Sequence, residues 1–410
     1  MTQVEESTGT PPTRQRSPLS GWLGVVALAL GTFTVVTSEM LPVGLLTPMG
    51  ESLRISEGVA GLTLTITGLV AAVSSPVLVS MLGRADRRMA LCALVAVLVI
   101  GNLGAAWAPN FGVMVMARIL VGIGMGGVWA IAAGLAVRLV PAKSVGPATS
   151  LVFSGIAVAS VLGVPAGTYL GAAAGWRSAF LAAAGLGLVV LVAAAVLLPR
   201  LPSERAIPLG GVMGLFGNAQ VRTGLIVVGF VVTGHFAAYT YIRPVLEDVS
   251  GVGAGMIGTL LLVYGVAGVA GNFVAGAARS PRGTLLVISA VMAATVIALP
   301  WLGGSVALAA VLMVVWGLSY GGVSVSTQTW ILLASPDARE AASSLFVGVF
   351  NGAIALGALI GGLAADGIGI TAVMWVGGAL AVGAPVTIVV GRAPAPAVGA
   401  RPPGSPALGA

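Results

Sequence analysis

Residues 22–46 read WLGVVALALGTFTVVTSEMLPVGLL, an apolar run that contains a single charged residue, Glu39. A helix needs about 20 predominantly apolar residues to cross the hydrocarbon core of a bilayer, so this run is long enough to span one. The polar stretch before it lacks the short apolar core and the small-residue cleavage site of a signal peptide. The run therefore predicts a transmembrane helix rather than a leader that is removed.

The composition extends this interpretation to the whole chain. Hydrophobic residues make up 58% of the 410 residues and charged residues 8%, against about 25% charged in an ordinary soluble domain. A soluble protein of this size must cover its surface with polar groups, and this chain lacks them. The net charge of +7 falls in short connections between apolar runs, not in a basic patch with aromatics, which argues against a nucleic-acid binder.

Twelve apolar segments predict an all-α membrane protein with twelve transmembrane helices in two six-helix bundles. We expect them near residues 21–47, 58–82, 89–108, 111–138, 145–171, 177–198, 222–246, 254–277, 283–302, 305–333, 340–364 and 370–391. The predicted units are a disordered cytoplasmic tail (1–20), an N-terminal bundle (21–198), a cytoplasmic linker (199–221), a C-terminal bundle (222–391) and a second disordered tail (392–410).

The basic residues predict the orientation of these helices. Of the 19 Arg and Lys residues, fifteen fall on the side of the two tails, Arg118 lies within a span, and the opposite side has only Arg54, Arg177 and Arg243. Cytoplasmic loops carry an excess of Arg and Lys, so both termini are expected in the cytoplasm.

The two halves of the sequence show a weak internal repeat. Leu41-Pro42-Val43 matches Arg243-Pro244-Val245, the basic turn at 83–88 matches the turn at 279–282, and Gly126-Gly127 matches Gly321-Gly322. Two six-helix units in the same orientation form a parallel repeat, in which the substrate site lies near mid-membrane between the units.

Several motifs resemble those of the major facilitator superfamily. The turn Gly83-Arg84-Ala85-Asp86-Arg87-Arg88 is similar to the family's loop between its second and third helices, although it is one residue shorter before the Asp and lacks the Gly after it. Arg118-Ile-Leu-Val-Gly122-Ile-Gly124 resembles the fourth-helix motif. The set Gly155, Gly163, Pro165 and Gly167 resembles the fifth-helix motif of proton-driven antiporters.

Other segments resemble a narrower group, the bacterial efflux pumps for purine ribonucleosides and their arabinose-efflux relatives. They are Glu39-Met-Leu-Pro42-Val-Gly-Leu-Leu-Thr-Pro48-Met, Gly126-Gly127-Val-Trp129-Ala, Arg138-Leu-Val-Pro141, Gly175-Trp176-Arg177 and Tyr239-Thr-Tyr-Ile-Arg243-Pro244. The resemblance covers nearly all of residues 20–390 and implies export of a small solute against proton entry. Since relatives export sugars or drugs, an arabinose-like sugar and a chloramphenicol-like antibiotic stay open beside a purine ribonucleoside.

Three residues are candidates for proton coupling. Glu39 lies roughly 12 Å from the outer end of the first span, where a carboxyl either serves function or merely hydrates at the interface. Arg118 lies at a similar depth and either couples to Glu39 or pairs with the backbone of the first helix. His235, the sole histidine, titrates in a useful range, with Tyr239 and Arg243 on the same predicted face, but a lone His is more often a packing residue.

Asp86 and Arg138 are candidates for gating. The arginines beside Asp86 are explained as topology anchors, whereas Asp86 itself can pair with Arg138 or with a helix N-terminus across the halves when the cytoplasmic side is closed.

Polar and aromatic residues within spans predict a central solute cavity. Aromatic rings stack on purines or pack on sugar faces, and amides hydrogen-bond to either. The preferred contacts are Phe33, Trp129, Tyr239, Gln328 and Asn351; Thr37, Asn102, Tyr241, Asn272, Trp316, Tyr320 and Trp330 complete the candidates, several of which must serve helix packing.

The chain lacks sequence signals for other mechanisms. One His and one Cys cannot build the usual zinc or haem site, and no P-loop motif suggests ATP-driven transport. We expect no cofactor and no catalytic residues. The expected partners are a small-molecule substrate, protons and the lipid bilayer, without nucleic acid, and the chain is expected to act as a monomer. An uncoupled facilitator or sensor is the competing class.

Overall fold

The structure is a computed structural model that describes residues 18–81, 85–141, 144–201, 214–278 and 280–391. Within these ranges the chain is helical and forms no strand, as expected when a backbone in lipid must satisfy its own hydrogen bonds. The predicted tail residues 1–17 and 392–410 and the linker residues 202–213 lie outside the described ranges.

Thirteen α-helices follow one another along the described chain. They are α1 (Pro18–Leu53), α2 (Glu57–Met81), α3 (Arg87–Ala106), α4 (Phe111–Leu139), α5 (Val145–Ala174), α6 (Trp176–Leu197), α7 (Ala219–Tyr239), α8 (Ile242–Ser250), α9 (Ala254–Gly276), α10 (Pro281–Leu302), α11 (Val306–Ala334), α12 (Arg339–Gly367) and α13 (Ala372–Val390). Twelve of them are long and apolar enough to cross a membrane, and each overlaps a span predicted from the sequence.

The seventh predicted span, 222–246, differs from the structure. Helix α7 ends at Tyr239 and the short helix α8 begins at Ile242. Pro244 cannot donate a backbone N–H to the carbonyl of Thr240, and it lies in the first turn of α8, where a missing N–H costs little. Arg243 therefore does not continue the helical face of His235 and Tyr239.

Both halves of the molecule use the same helix pairing, which confirms the internal repeat. In the N-terminal half (α1–α6), α1 packs on α5 and α6, α4 packs on α2 and α3, and α3 packs on α6. In the C-terminal half (α7–α13), α7 packs on α12 and α13, α11 packs on α9 and α10, and α10 packs on α13. Gly126 packs directly on α2, and its counterpart Gly321 packs directly on α9.

The halves are joined at the end of the bundle that carries the turns at 54–56 and 251–253. We call it the distal end, because an even number of crossings places it opposite both termini. Helix α2 packs on α12, α5 packs on α9, and α1 contacts α8. The phenol oxygen of Tyr169 and Oγ1 of Thr259 lie 2.7 Å apart across this contact. The described structure is therefore closed at its distal end.

Candidate functional site

The carboxyl of Glu39 is buried in α1 without a full set of hydrogen bonds. Its side chain is 4% exposed, and Oε1 has no hydrogen-bond partner among the described residues. Because α1 continues to Leu53, Glu39 lies about 21 Å from the distal end of its helix, deeper than the sequence predicts. A buried carboxyl with an unused oxygen is costly, and the predicted role of Glu39 in proton coupling stays a prediction.

The guanidinium of Arg118 is fully buried and binds three backbone carbonyls. Nε donates to Thr63 O at 3.1 Å, NH1 to Ser38 O at 2.8 Å and NH2 to Glu39 O at 3.0 Å. Pro42 has no N–H for the carbonyl four residues earlier, so it leaves the carbonyl of Ser38 free for Arg118. Arg118 thus joins α4 to both α1 and α2.

This geometry favours the backbone-pairing interpretation of Arg118 over a direct pair with Glu39. The two side chains interact electrostatically, but among the described atoms no hydrogen bond joins guanidinium and carboxylate. Because Nε, NH1 and NH2 each donate to a carbonyl, Glu39 has no ion-pair partner in contact within the described ranges of the chain. A coupling role for Arg118 stays a prediction.

His235 lies in a cluster of aromatic rings within the C-terminal half. Its Nδ1 accepts a hydrogen bond from Trp316 Nε1 at 3.1 Å, and its ring stacks on Tyr320 with centroids 3.4 Å apart. Tyr239 and Tyr264 stack further along the same cluster. A nitrogen that accepts a hydrogen bond carries no proton, so this arrangement requires a neutral imidazole. The surroundings are those of a packing residue, and proton coupling by His235 stays a prediction.

The five residues predicted to contact the solute lie on five helices of the two halves. Phe33 on α1, Trp129 on α4 and Gln328 on α11 are half-buried. Tyr239 on α7 is buried and stacked on His235. The side chain of Asn351 on α12 donates through Nδ2 to Val347 O of the same helix at 2.9 Å, and only its backbone carbonyl packs on Gly68 of α2.

Three other cavity candidates make packing contacts instead. Asn102 donates to Ser38 Oγ at 3.0 Å and so joins α3 to α1. The hydroxyl of Tyr241 donates to Ala358 O at 2.8 Å. Trp330 lies beneath the guanidinium of Arg282, 5.8 Å from its ring centroid.

Asp86 caps a helix of its own half. Its Oδ1 accepts from the backbone N–H of Arg88 at 2.8 Å and of Met89 at 3.4 Å, at the start of α3. Its Oδ2 accepts from the N–H of Leu201 at 3.2 Å, beyond the end of α6. Arg138 lies half-buried in the last turn of α4. The predicted gating roles of both residues need a closed tail side and stay predictions.

Sequence reasoning missed a polar cluster at the distal end. Arg243, counted from the sequence among the few basic residues of the outer side at the end of the seventh span, is 6% exposed and forms a salt bridge with Glu247 at 3.1 Å. Asp366 of α12 accepts hydrogen bonds from the Ser56 hydroxyl at 2.6 Å and the Gly58 N–H at 3.0 Å. One signal was available, because Pro48 of α1 leaves the carbonyl of Gly44 without its helical donor.

Comparison with known proteins decides the family. Residues 28–346 match the family model described as Major Facilitator Superfamily. The chain belongs to the major facilitator superfamily. It is a membrane transporter of that superfamily and not an enzyme, as the sequence predicted.

Individual relatives in the superfamily have different names. The chain is 37% identical over 383 residues to the Transcription regulatory protein OpdE of Pseudomonas aeruginosa, covering 92% of this chain and 95% of the relative. It is 34% identical over 361 residues to the Purine ribonucleoside efflux pump NepI of Salmonella paratyphi B, covering 88% and 91%. The crystal structure of a D-xylose-proton symporter shares the fold, with a TM-score of 0.71 and 17% identity over 92% of this chain and 98% of that one.

Proposed function

We propose that this transporter is a proton-coupled exporter of a small solute, with a purine ribonucleoside as the first candidate. The observation that carries the proposal is the Glu39 carboxyl, which is buried in α1 and whose Oε1 has no hydrogen-bond partner in the described part of the chain. An antiporter needs one group that binds a proton in one facing state and releases it in the other. A carboxyl whose hydration changes as the cavity opens and closes can do this.

The arrangement around Glu39 suits that role. If Arg118 held the carboxylate in a direct ion pair, the negative charge would be neutralised in every state. Instead each of its three nitrogens donates one hydrogen bond to a carbonyl of α1 or α2. The positive charge stays near Glu39 while the carboxyl keeps an oxygen for a proton, and rocking of the halves alters its access to water.

The solute contacts proposed are Phe33, Trp129, Tyr239, Gln328 and Asn351. Rings offer faces to a planar base, and amides offer both donors and acceptors to a base edge or a sugar hydroxyl. The name of NepI, at 34% identity over 88% of this chain, supports purine ribonucleosides as the first substrates to test. An arabinose-like sugar and a chloramphenicol-like antibiotic are the next.

We also propose that both termini face the cytoplasm of the bacterial cell membrane, on the positive-inside rule. Asp86 and Arg138 then lie on the cytoplasmic side, where a change in their contacts would accompany closure of that side. The distal end faces outward.

A second candidate is a membrane sensor without ion coupling. It is favoured by the name of OpdE, a transcription regulatory protein, at 37% identity. A sensor binds its ligand without moving it across the membrane, so net solute transport distinguishes the two functions.

The test uses everted vesicles from cells that express the protein, with an imposed proton gradient. Labelled inosine, guanosine, arabinose and chloramphenicol are offered in turn. Gradient-dependent accumulation of inosine or guanosine above empty-vector vesicles is the expected result. Saturable binding without accumulation of any of the four would favour the sensor, and accumulation that ignores the gradient would exclude proton coupling.

A further inference from the structure

Two prolines in α1 leave two carbonyls without helical donors, and a buried arginine binds each carbonyl. Pro42 and Pro48 both lie inside the continuous helix, and a proline cannot donate to the carbonyl four residues before it. Those carbonyls belong to Ser38 and Gly44. The Ser38 carbonyl accepts from Arg118 of the same half. The Gly44 carbonyl accepts from Arg243 of the other half, through NH1 at 2.8 Å.

The contact of Arg243 with α1 is reinforced by Glu247. Nε of Arg243 donates to Glu247 Oε1 at 3.1 Å, and the Thr47 hydroxyl of α1 donates to Glu247 Oε2 at 2.7 Å. Both members of one salt bridge on α8 are thus bound to a single turn of α1, one by a carbonyl and one by a hydroxyl. The Gly44 carbonyl also receives a longer bond from Thr168 Oγ1, at 3.5 Å, within the N-terminal half.

The position of these bonds means that they resist opening of the distal end. The Gly44 and Thr47 contacts cross from one half to the other at the distal end, so separation of the halves there must break both. In the closed state Arg243 is 6% exposed, and a desolvated charge-assisted bond is stronger than one in water. Once the halves part, water hydrates both charges, so the open state bears little penalty. The contact is therefore formed in the closed state and broken and hydrated in the open state, with no intermediate arrangement.

We propose that Arg243 and Glu247 form a latch that holds the distal end closed through their hydrogen bonds to the Gly44 carbonyl and the Thr47 hydroxyl. Pro48 is the residue that makes the carbonyl available. The inference rests on the alternating-access mechanism of the proposed function, but not on the identity of the solute or on proton coupling. Asp366, which caps the start of α2 from the opposite half, forms a second contact beside the latch and is left intact in the test.

The experiment measures opening of the distal end directly. Val43, fully buried beside the latch, is changed to cysteine in a Cys92→Ala background, since Cys92 is the one cysteine of the chain. Purified protein in lipid nanodiscs, without solute, is reacted with a polar maleimide. Arg243→Gln is expected to speed modification of the cysteine by about 10- to 100-fold, the effect of losing one or two bonds to a charged group.

Two milder changes and two matched controls accompany it. Thr47→Val removes only the hydroxyl donor, and Pro48→Ala supplies a backbone donor that competes with Arg243 for the Gly44 carbonyl; each should speed modification several-fold. Arg177→Gln removes a charge at the same end whose bonds go to Ser52 and Ala108 of its own half, and Pro42→Ala frees no inter-half contact. Neither should change the rate.

The latch is overturned if Arg243→Gln, Thr47→Val and Pro48→Ala all leave the rate unchanged in protein that elutes as a single folded species. It is equally overturned if Arg177→Gln speeds modification as much as Arg243→Gln. Should Arg243→Gln fail to fold, the other two variants decide the question. A chain that transports none of the solutes tried can still show the latch, so failure of the two proposals is distinguishable.

Discussion

Replacement of Arg118 by lysine tests the hydrogen bonds through which this arginine joins α4 to α1 and α2. The guanidinium donates to three carbonyls at 2.8–3.1 Å from a fully buried position. An ammonium on a flexible stem cannot reproduce this planar fork. The carbonyls of Glu39 and Thr63 lie in regular helix, where an N–H four residues on remains available. The Ser38 carbonyl has no such donor, because Pro42 occupies that position.

The expected loss follows from this difference. Lysine should lose at least one of the three hydrogen bonds and leave the Ser38 carbonyl only partly hydrogen-bonded. The free energy of unfolding should therefore fall by about 2–4 kcal/mol. If the Ser38 carbonyl carries the effect, Pro42→Ala should reduce the cost of Arg118→Lys, because alanine supplies the missing N–H. A double-mutant cycle should therefore give a coupling of about 1–2 kcal/mol.

The assay is reversible unfolding of the purified protein in mixed micelles, followed for the wild type, both single variants and the double variant. Arg177→Lys is the matched control, since Arg177 also donates to a carbonyl, that of Ala108, but is only half-buried; it should cost less than about 1 kcal/mol. Strict additivity of Arg118→Lys and Pro42→Ala would refute the reasoning, as would equal costs for the two arginine changes.

Three further predictions concern topology, gating and the solute. Reporter fusions within 199–220 should read cytoplasmic and those near 249–253 external; the reverse readings would overturn the orientation. Asp86→Asn should slow solute exchange, because the charge and the acceptor for the Leu201 N–H are lost, and should leave affinity nearly unchanged, because Asp86 lies about a bilayer half-thickness from the site; a large affinity loss with normal turnover would contradict gating. Gln328→Ala and Asn351→Ala should each weaken solute binding by about 1–3 kcal/mol, measured by competition binding, and unchanged affinity in both would move the site elsewhere.

The fold could be predicted from the sequence because a membrane span is defined by its length and apolarity, and both can be seen within one segment of the chain. The seventh span shows the limit. Its apolar run continues past Tyr241, so hydropathy alone extends the helix to residue 246, while the break is caused by Pro244 three residues later. The depth of Glu39 was underestimated for the same reason, namely that hydropathy does not mark the end of a helix. The polar residues Thr47 and Glu51 end the apolar run of α1 but not the helix itself.

The partners of the buried charges were harder to predict because they are backbone atoms or lie on distant segments. No side-chain pattern around Arg118 indicates that it binds carbonyls, and only the spacing from Ser38 to Pro42 offers a signal. Arg243 lies at the outer end of a predicted span, and its burial becomes visible only when α1 and α8 are packed together. The rings around His235 come from α7, α9 and α11, so no local spacing relates them.

The most direct test of the central claim is uphill solute transport by Glu39→Gln in reconstituted vesicles with an imposed proton gradient. The amide mimics the protonated acid and cannot release a proton, so the account predicts no gradient-driven efflux while solute binding is retained. Glu39→Asp, which retracts the carboxyl by one methylene, should keep partial activity with a shifted pH profile. If Glu39→Gln still pumps solute uphill with the pH dependence of the wild type, Glu39 is not the coupling residue and the proposed mechanism is wrong.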